Sequence, residues 1–146
     1  MKAKTIHILL ADDDQDDCIF FKEALDELPV STTLITVKDG VQLMHHLNKA
    51  TSLPHLIYLD LNMPIKNGAE CLEEIKGNDR FKRLPIIIYS TAFVAEVVKS
   101  LYEQGASYFI RKPPVFSDLK SVILRSLTLV SEDMHPTFEN FIIHSK

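Results

Sequence analysis

The sequence predicts an α/β protein in which five parallel strands form one sheet with helices on both faces. Five short apolar runs alternate strictly with five segments whose apolar residues recur every three or four positions. Strict alternation favours a doubly wound parallel sheet, because each crossover between parallel strands is right-handed and carries a helix. The length of 146 residues suits one domain with a core of its own.

Five runs of apolar and β-branched residues are predicted to form the strands. Turn-forming or charged residues follow the runs, as expected where a strand leaves the sheet. Pro85 opens the fourth run, at the one strand position where a missing N–H costs little. In order, the predicted strands are residues 6–11, 33–37, 55–60, 86–89 and 108–110.

The segments that follow the strands have the apolar spacing of amphipathic helices. Asp16 and Asp17 favour the positive end of the first helix, which reaches about Leu28. Gly105 is predicted to end the fourth helix, and Ser117 to cap the fifth at its N-terminus. The second helix is predicted after Asp39-Gly40, the third after Gly68, the fourth over about 93–103 and the fifth after Ser117.

The end of the chain departs from this alternation. The predicted division is therefore a domain over residues 1–130 and a C-terminal tail over 131–146. In the tail, Phe138, Phe141 and Ile142 have helical spacing. They predict a short amphipathic helical turn that packs on the domain or on a partner, with a frayed terminus as the alternative.

Composition and charge exclude several classes of protein. The formal net charge of -4 gives no support to a nucleic-acid-binding surface, which would normally be basic. No apolar run approaches the roughly 20 residues of a membrane span, and the N-terminus has no signal-peptide pattern. We therefore expect a soluble cytoplasmic protein that binds neither nucleic acid nor membrane.

Polar residues stand at the ends of four predicted strands. Because the carboxyl ends of parallel strands share one edge of the sheet, these residues are expected to form one site. Crowded carboxylates repel one another and need a cation, and an all-oxygen site that leaves room for water suits Mg²⁺. A lysine and a hydroxyl could hold a phosphoryl group that an aspartate accepts. The residues at the strand ends are Asp12, Asp13, Asp60, Ser90, Thr91 and Lys112.

Residues 5–129 resemble the receiver domain of two-component response regulators. The motifs that carry this resemblance are Ala11-Asp12-Asp13-Asp14, Leu59-Asp60-Leu61-Asn62-Met63-Pro64 with Gly68, Pro85 through Ser90-Thr91-Ala92, and Gly105-Ala106-Ser107-Tyr108-Phe109 through Lys112-Pro113. The resemblance implies a flavodoxin-like fold with strand order 2-1-3-4-5.

The resemblance also implies a role for each matching residue. Asp60 matches the phosphoacceptor, Asp13 the direct Mg²⁺ ligand, and Asp12 a ligand that acts mainly through water. Ser90 and Phe109 match the switch hydroxyl and the switch aromatic, positions where threonine and tyrosine are commoner. The implied sets are Asp12, Asp13, Asp60 and the Asn62 backbone carbonyl for the metal, Ser90, Thr91 and Lys112 for the phosphoryl group, and a cis peptide bond before Pro113.

The predicted function is that of a stand-alone response regulator. A histidine kinase or a histidine phosphotransfer protein would transfer a phosphoryl group to Asp60 in a Mg²⁺-dependent reaction. Because no effector domain follows residue 129, the signal is expected to leave through a downstream protein partner or through self-association. The chain would then be a signalling protein rather than an enzyme acting on a separate substrate.

Three alternatives compete with this interpretation. A phosphohydrolase that uses an aspartyl phosphate needs a second acid two residues after the nucleophile, where this chain has Asn62. A flavin or nucleotide binder needs a glycine-rich or hydroxyl-rich phosphate loop after the first strand, and the acidic residues 12–14 have the wrong charge for it. A receiver-like binding module that is never phosphorylated would lack an acid or the lysine, and this chain has them all.

Overall fold

The five strands form one parallel sheet in the order β2-β1-β3-β4-β5, as the sequence predicts. The computed structural model describes residues 4–132 and 135–145. The strands are β1 (Ile6–Ala11), β2 (Thr32–Val37), β3 (Leu56–Leu59), β4 (Ile86–Ser90) and β5 (Tyr108–Arg111). The helices are α1 (Gln15–Asp26), α2 (Gly40–Lys49), α3 (Gly68–Lys76), α4 (Ala95–Glu103) and α5 (Phe116–Ser131), and a 3₁₀ turn follows at Phe138–Asn140.

The sheet separates two hydrophobic cores. Alternate residues of the central strands point to opposite faces, so that Leu59 and Ile88 enter one core while Tyr58 and Ile87 enter the other. Helices α2, α3 and α4 cover the first face, and α1 and α5 cover the second. Because β3 and β4 are buried on both faces, they read as continuous apolar runs in the sequence.

Backbone pairing continues past the strand ends and holds the residues that follow them. Asp12 donates its N–H to the Val37 carbonyl at 3.0 Å, and Asp60 donates to Ala11 at 2.9 Å. Lys112 donates its backbone N–H to the Ser90 carbonyl at 2.9 Å. The ends of β1, β3, β4 and β5 therefore lie side by side at one edge of the sheet.

The fifth helix starts two residues earlier than predicted. Ser117 is not its cap: the helix begins at Phe116, and Val115 occupies the N-cap without a side-chain hydrogen bond. The Phe116 ring packs 5.4 Å from the ring of Phe20 on α1, measured between centroids. Phe116 therefore contacts α1 from the first turn of α5, and Ser117 lies inside the helix instead of capping it.

The tail returns along β5, beside α4 and α5. After the 3₁₀ turn, Ile142 pairs in parallel with Phe109 on β5, and the side chains of Phe141 and Ile143 are buried. Phe138, one of the three residues with helical spacing, stays 44% exposed. The tail is thus a short turn followed by an extended segment; residues 133, 134 and 146 of the predicted tail lie outside the described ranges. Within those ranges, no helix combines the length and apolar character required to cross a membrane.

Candidate functional site

Three carboxylates meet at the edge of the sheet where β1 and β3 end. One oxygen from each of Asp12, Asp13 and Asp60 lies within 4.8 Å of the other two. Asp12 and Asp60 are buried, whereas Asp13 is exposed. Such a set of oxygen donors, open to solvent on one side, fits a hard divalent cation of the Mg²⁺ or Mn²⁺ type.

Local hydrogen bonds orient the acidic loop after β1. The Asp12 carboxylate accepts the Asp14 N–H at 3.0 Å, and the Asp14 carboxylate caps α1 by accepting the Asp17 N–H at 3.0 Å. Asp14 is therefore a helix cap and not a member of the carboxylate cluster. Its neighbours Asp12 and Asp13 are left to face the end of β3.

Glycine allows α3 to approach the candidate phosphoacceptor. A Cβ atom at Gly68 would overlap the backbone carbonyl oxygen of Asp60, and the Gly68 N–H donates to the Leu61 carbonyl at 3.0 Å. Asn67 begins α3 with a capping box to Glu70. The loop after Asp60 is thus held at its far end by the start of a helix. Asn62 lies in this loop, exposed, and its N–H donates to the Asp60 carboxylate at 3.4 Å.

Lys112 reaches three carboxylates with one ammonium group. Its Nζ donates to Asp12 at 2.7 Å, to Asp17 at 2.8 Å and to Asp60 at 3.3 Å. The lysine side chain is only 8% exposed, and its Nζ lies 5.2 Å from the centre of the Tyr89 ring. Lys112 is therefore the local counter-ion of the acidic site.

Burial and charge act in opposite directions on this group of residues. Burial raises the pKa of Asp12 to about 6, although the hydrogen bond from Lys112 works against that rise. Burial alone would lower the pKa of Lys112, but hydrogen bonds to Asp12 and Asp17 raise it above the ordinary value. Lys112 accordingly stays charged at neutral pH, and Asp12 is readily protonated below pH 6.

Asp17 also belongs to the site. The sequence pattern predicted only that it favours the positive end of the first helix. It lies on the first turn of α1, four residues after Asp13, and its carboxylate is within hydrogen-bonding distance of Lys112. Its partner, however, is 95 residues away in the chain, and no local pattern indicates that pairing.

The remaining predicted residues surround this centre. Ser90 is buried at the end of β4, where its hydroxyl accepts the Ala92 N–H at 3.2 Å. Thr91 is exposed and lines, with Lys112, a neighbouring cavity of about 660 Å³. Phe109 lies on β5 and is completely buried, with the Phe93 ring packed against it edge-on at 5.8 Å.

The peptide bond before Pro113 differs from the prediction. No peptide bond within residues 4–132 and 135–145 is cis, so the Lys112–Pro113 bond is trans. The trans form is the intrinsically favoured one for an X–Pro bond, by about 0.5–1 kcal/mol. The expectation of a cis bond here is therefore wrong for this structure.

Comparison with known proteins decides the family. Residues 8–124 match the family described as the response regulator receiver domain. The chain belongs to this family. Its members act in two-component signal transduction, so the receiver is a signalling protein, as the sequence predicts.

Relatives and solved structures agree with this assignment. The response regulator Rcp1 of Synechocystis sp. is 32% identical over 121 residues, which cover 80% of this receiver and 82% of Rcp1. The phosphorylated cyanobacterial phytochrome response regulator RcpA superposes with a TM-score of 0.81 at 29% identity, covering 90% of this receiver and 97% of RcpA. The Mn²⁺-bound form of Rcp1 superposes with a TM-score of 0.78, also at 29% identity, covering 90% and 99% of the two chains.

Proposed function

We propose that this receiver accepts a phosphoryl group on Asp60 from a histidine kinase or a histidine phosphotransfer protein, and that the reaction depends on Mg²⁺. The observation that carries the proposal is the arrangement at the sheet edge. The Asp60 carboxylate lies among the other two acids of the cluster and the Lys112 ammonium. The proposed nucleophile, the proposed ligands of the metal ion and a lysine that can bind a phosphoryl group thus lie in one site.

In this reaction a carboxylate oxygen of Asp60 attacks the phosphorus atom of a phosphohistidine. The new P–O bond forms as the P–N bond breaks, and the imidazole leaves with the electron pair of that bond. The carboxylates of Asp12, Asp13 and Asp60 would hold the Mg²⁺. The family resemblance adds the Asn62 backbone carbonyl to these ligands. When bound, the cation offsets the negative charge that accumulates between the carboxylates and the transferring group.

Lys112 and Ser90 are proposed to bind the product. Lys112 already donates to Asp60 and to Asp12, so its ammonium group is available to donate to an oxygen of a phosphoryl group on Asp60. The Ser90 hydroxyl accepts one hydrogen bond from Ala92 and can donate its own proton to a second phosphoryl oxygen. Thr91, the exposed neighbour, is proposed to contribute at the rim of the site.

Two further features bear on the alternatives. Asn62 follows Asp60 by two residues and cannot supply a proton, which argues against a phosphohydrolase acting on a separate substrate. Both acids after β1, the acceptor and the lysine are all present and close together, which argues against a binding module that is never phosphorylated. We propose a cytoplasmic receiver that signals through a protein partner or through self-association, without contacting nucleic acid or membrane.

The test is intact mass measurement after incubation with a small phosphodonor. The wild-type receiver is expected to gain the mass of one phosphoryl group with Mg²⁺ and none with excess chelator. Asp60→Asn is expected to gain nothing in either condition, because an amide oxygen is a poor nucleophile.

Asp14→Asn is the matched control, since Asp14 caps α1 and lies outside the carboxylate cluster. This variant should be phosphorylated to the wild-type extent. A phosphoryl group on Asp60→Asn, or undiminished labelling in chelator, would refute the proposal.

A further inference from the structure

One of the carboxylates that bind the Lys112 ammonium group lies outside the acidic cluster. Asp12 and Asp60 belong to the three carboxylates that could hold a metal ion, whereas Asp17 does not. The Lys112 Nζ nevertheless donates to Asp17 at 2.8 Å, a shorter distance than the 3.3 Å to Asp60. The lysine is thus held by a residue outside the cluster nearly as closely as by Asp12 inside it, at 2.7 Å.

The position of Asp17 is fixed by the start of α1. Its backbone N–H donates to the carboxylate of Asp14, the N-cap residue, at 3.0 Å. The side chain of Asp17 is 34% exposed and that of Lys112 only 8%, whereas the two side chains of the ion pair Lys22–Asp26 on the same helix are 62% and 60% exposed. A pair with one deeply buried partner is screened less by water and salt than an exposed pair. The contact between Asp17 and Lys112 therefore differs from an ordinary ion pair on a helix surface.

The ring of Tyr89 supports the same ammonium group. The Lys112 Nζ lies 5.2 Å from the centre of this ring, within the range of cation–π attraction. Tyr89 is buried in β4, where its ring packs edge-on against the Phe21 ring with 5.4 Å between centroids. Asp17 and Tyr89 together give the ammonium group two contacts that use no carboxylate of the cluster.

A divalent cation in the cluster would change the balance of these contacts. Oxygens of Asp12 and Asp60 would then be shared with the cation, whose charge repels the ammonium group. Of the three carboxylates that Lys112 reaches, Asp17 alone stays outside this competition, and its negative charge offsets the charge of the lysine. An uncharged amide at position 17 would leave Lys112 with only the two carboxylates that the cation also needs.

We propose that Asp17 is a positioning residue that holds Lys112 beside the site while a divalent cation occupies the cluster. By holding the lysine, Asp17 lowers the competition between the ammonium group and the cation for Asp12 and Asp60. It also keeps the ammonium group within reach of a phosphoryl group on Asp60. The inference rests on the metal site of the proposed function and assigns that site a residue that is not a ligand.

Titration of the metal-free receiver with Mg²⁺ tests this role. In Asp17→Asn the Kd for Mg²⁺ should rise about three- to tenfold, within the usual range of coupling inside one hydrogen-bond network. Asp16→Asn is the matched control, because it removes the same charge from the same helical turn, where Asp16 is exposed and is not among the carboxylates that Lys112 reaches. At about 0.15 M salt, which screens exposed charges, this control should change the Kd by less than about twofold.

A double substitution shows whether Asp17 acts through the lysine. With Lys112→Ala as the starting protein, the addition of Asp17→Asn should change the Kd for Mg²⁺ by less than about twofold, because no ammonium group is left to hold. Equal increases of the Kd in Asp17→Asn and Asp16→Asn would overturn the proposal. An undiminished effect of Asp17→Asn in the absence of the lysine would overturn it as well.

The ammonium resonance of Lys112 provides a second readout, which a purely structural role of Asp17 would not change. In protein labelled with ¹⁵N-lysine, this resonance is identified by its absence from Lys112→Ala. At saturating Mg²⁺ it should be present in the wild type and in Asp16→Asn, since a hydrogen-bonded ammonium group exchanges its protons slowly, and it should be lost through rapid exchange in Asp17→Asn. Its retention in Asp17→Asn would contradict the proposed role. A wild type that binds no Mg²⁺ would refute the metal dependence of the proposed function and this inference with it, whereas the other adverse results leave the proposed function intact.

Discussion

At the scale of the residue, the single positive charge of Lys112 is too small to neutralise the carboxylates that surround it. Lys112 contacts Asp12, Asp17 and Asp60, and Asp13 lies beside them. Four carboxylates around one ammonium group leave a net negative site, which attracts a divalent cation. Asp17 lies outside the cluster that could hold the metal, so its contact with Lys112 positions the lysine.

Removing the lysine should leave metal binding intact or strengthen it. In Lys112→Ala a positive charge disappears within 2.7 Å of a carboxylate of the cluster, so Mg²⁺ meets less repulsion. We expect titration of the metal-free variant to show an unchanged or lower Kd for Mg²⁺, together with a weaker conformational response to phosphorylation. Asp17→Asn keeps the lysine and serves as the comparison. A sharp loss of Mg²⁺ affinity in Lys112→Ala would contradict the charge argument.

The buried Asp12 carboxyl should make stability depend on pH in the metal-free receiver. Its pKa rises from 3.8 to about 6 on folding. This rise corresponds to a contribution of roughly 3 kcal/mol to the free energy of unfolding when the carboxyl is neutral. Because the folded-state pKa is the higher one, this contribution is complete below about pH 4 and is lost as the pH rises through 6.

Urea unfolding of the wild type and of Asp12→Asn at several pH values measures this contribution. The difference in the free energy of unfolding between the two proteins should change by up to about 3 kcal/mol between pH 4 and pH 7. At pH 7 the wild type should be stabilised more strongly by Mg²⁺ than the variant, because the cation relieves the charged carboxylate. A difference that stays constant with pH would show that Asp12 is ionised at the same pH in both states.

At the scale of the element, the loop after β4 connects the site to the β5 face. Ser90 is the last residue of β4, and Phe93 lies in the loop that follows, packed against Phe109 on β5. The backbone of Phe109 in turn pairs with the tail. We therefore expect a movement of this loop toward a phosphoryl group on Asp60 to shift the Phe93 ring, which packs against Phe109.

Ser90→Ala should separate phosphorylation from its consequence. The variant keeps the acceptor and the cation ligands, so it should be phosphorylated at nearly the wild-type rate. It loses a charge-assisted hydrogen bond worth roughly 1.5–3 kcal/mol, enough for about a ten- to hundredfold shift between two conformations. The readouts are partner binding or self-association, and exchange of the Ile143 amide, each with and without phosphodonor.

Thr91→Ala is the matched control for the hydroxyl, since Thr91 is the exposed neighbour in the same loop. It should respond to phosphorylation as the wild type does. If Ser90→Ala retains the full response and Thr91→Ala loses it, the switch hydroxyl is the threonine. If both variants retain it, the signal does not pass through this loop.

At the scale of the whole molecule, the tail adds one aromatic side chain to a core that is otherwise built from the domain. Phe141 and Phe81 are both buried in the core of the α4 face. Phe81 follows α3 within the domain, whereas Phe141 belongs to a segment joined to the domain by two backbone bonds to Phe109. The two residues have similar burial but differ in how their segments are attached.

This difference predicts unequal costs of truncation. Phe81→Ala should lower the free energy of unfolding by about 3–5 kcal/mol, the usual cost for a fully buried phenylalanine. Phe141→Ala can cost no more than the free energy needed to lift the tail from β5, which we expect to be under about 2 kcal/mol. Urea unfolding of both variants measures the two values. Equal losses would show that the tail is an integral part of the domain.

The sequence by itself determined the fold class, the strand order through its family resemblance, and the group of acids at the sheet edge. The fold class and the group of acids follow from local patterns, because apolar periodicity identifies strands and helices and a parallel sheet brings all carboxyl ends to one side. The strand order rests on the resemblance alone. Asp12, Asp13 and Asp60 therefore lie together as predicted.

Only the tertiary structure decided the partners of the site and of the tail. Asp17 meets Lys112 across 95 residues, Phe141 packs on Tyr102 and Phe109, and Phe116 at the start of α5 packs on Phe20. Each of these contacts joins residues that are distant in the chain, and its free energy depends on burial and geometry that no local pattern encodes. The same reason accounts for the tail. Its apolar spacing predicted a packed turn, and after the turn the chain pairs with β5 through one bridge between Ile142 and Phe109.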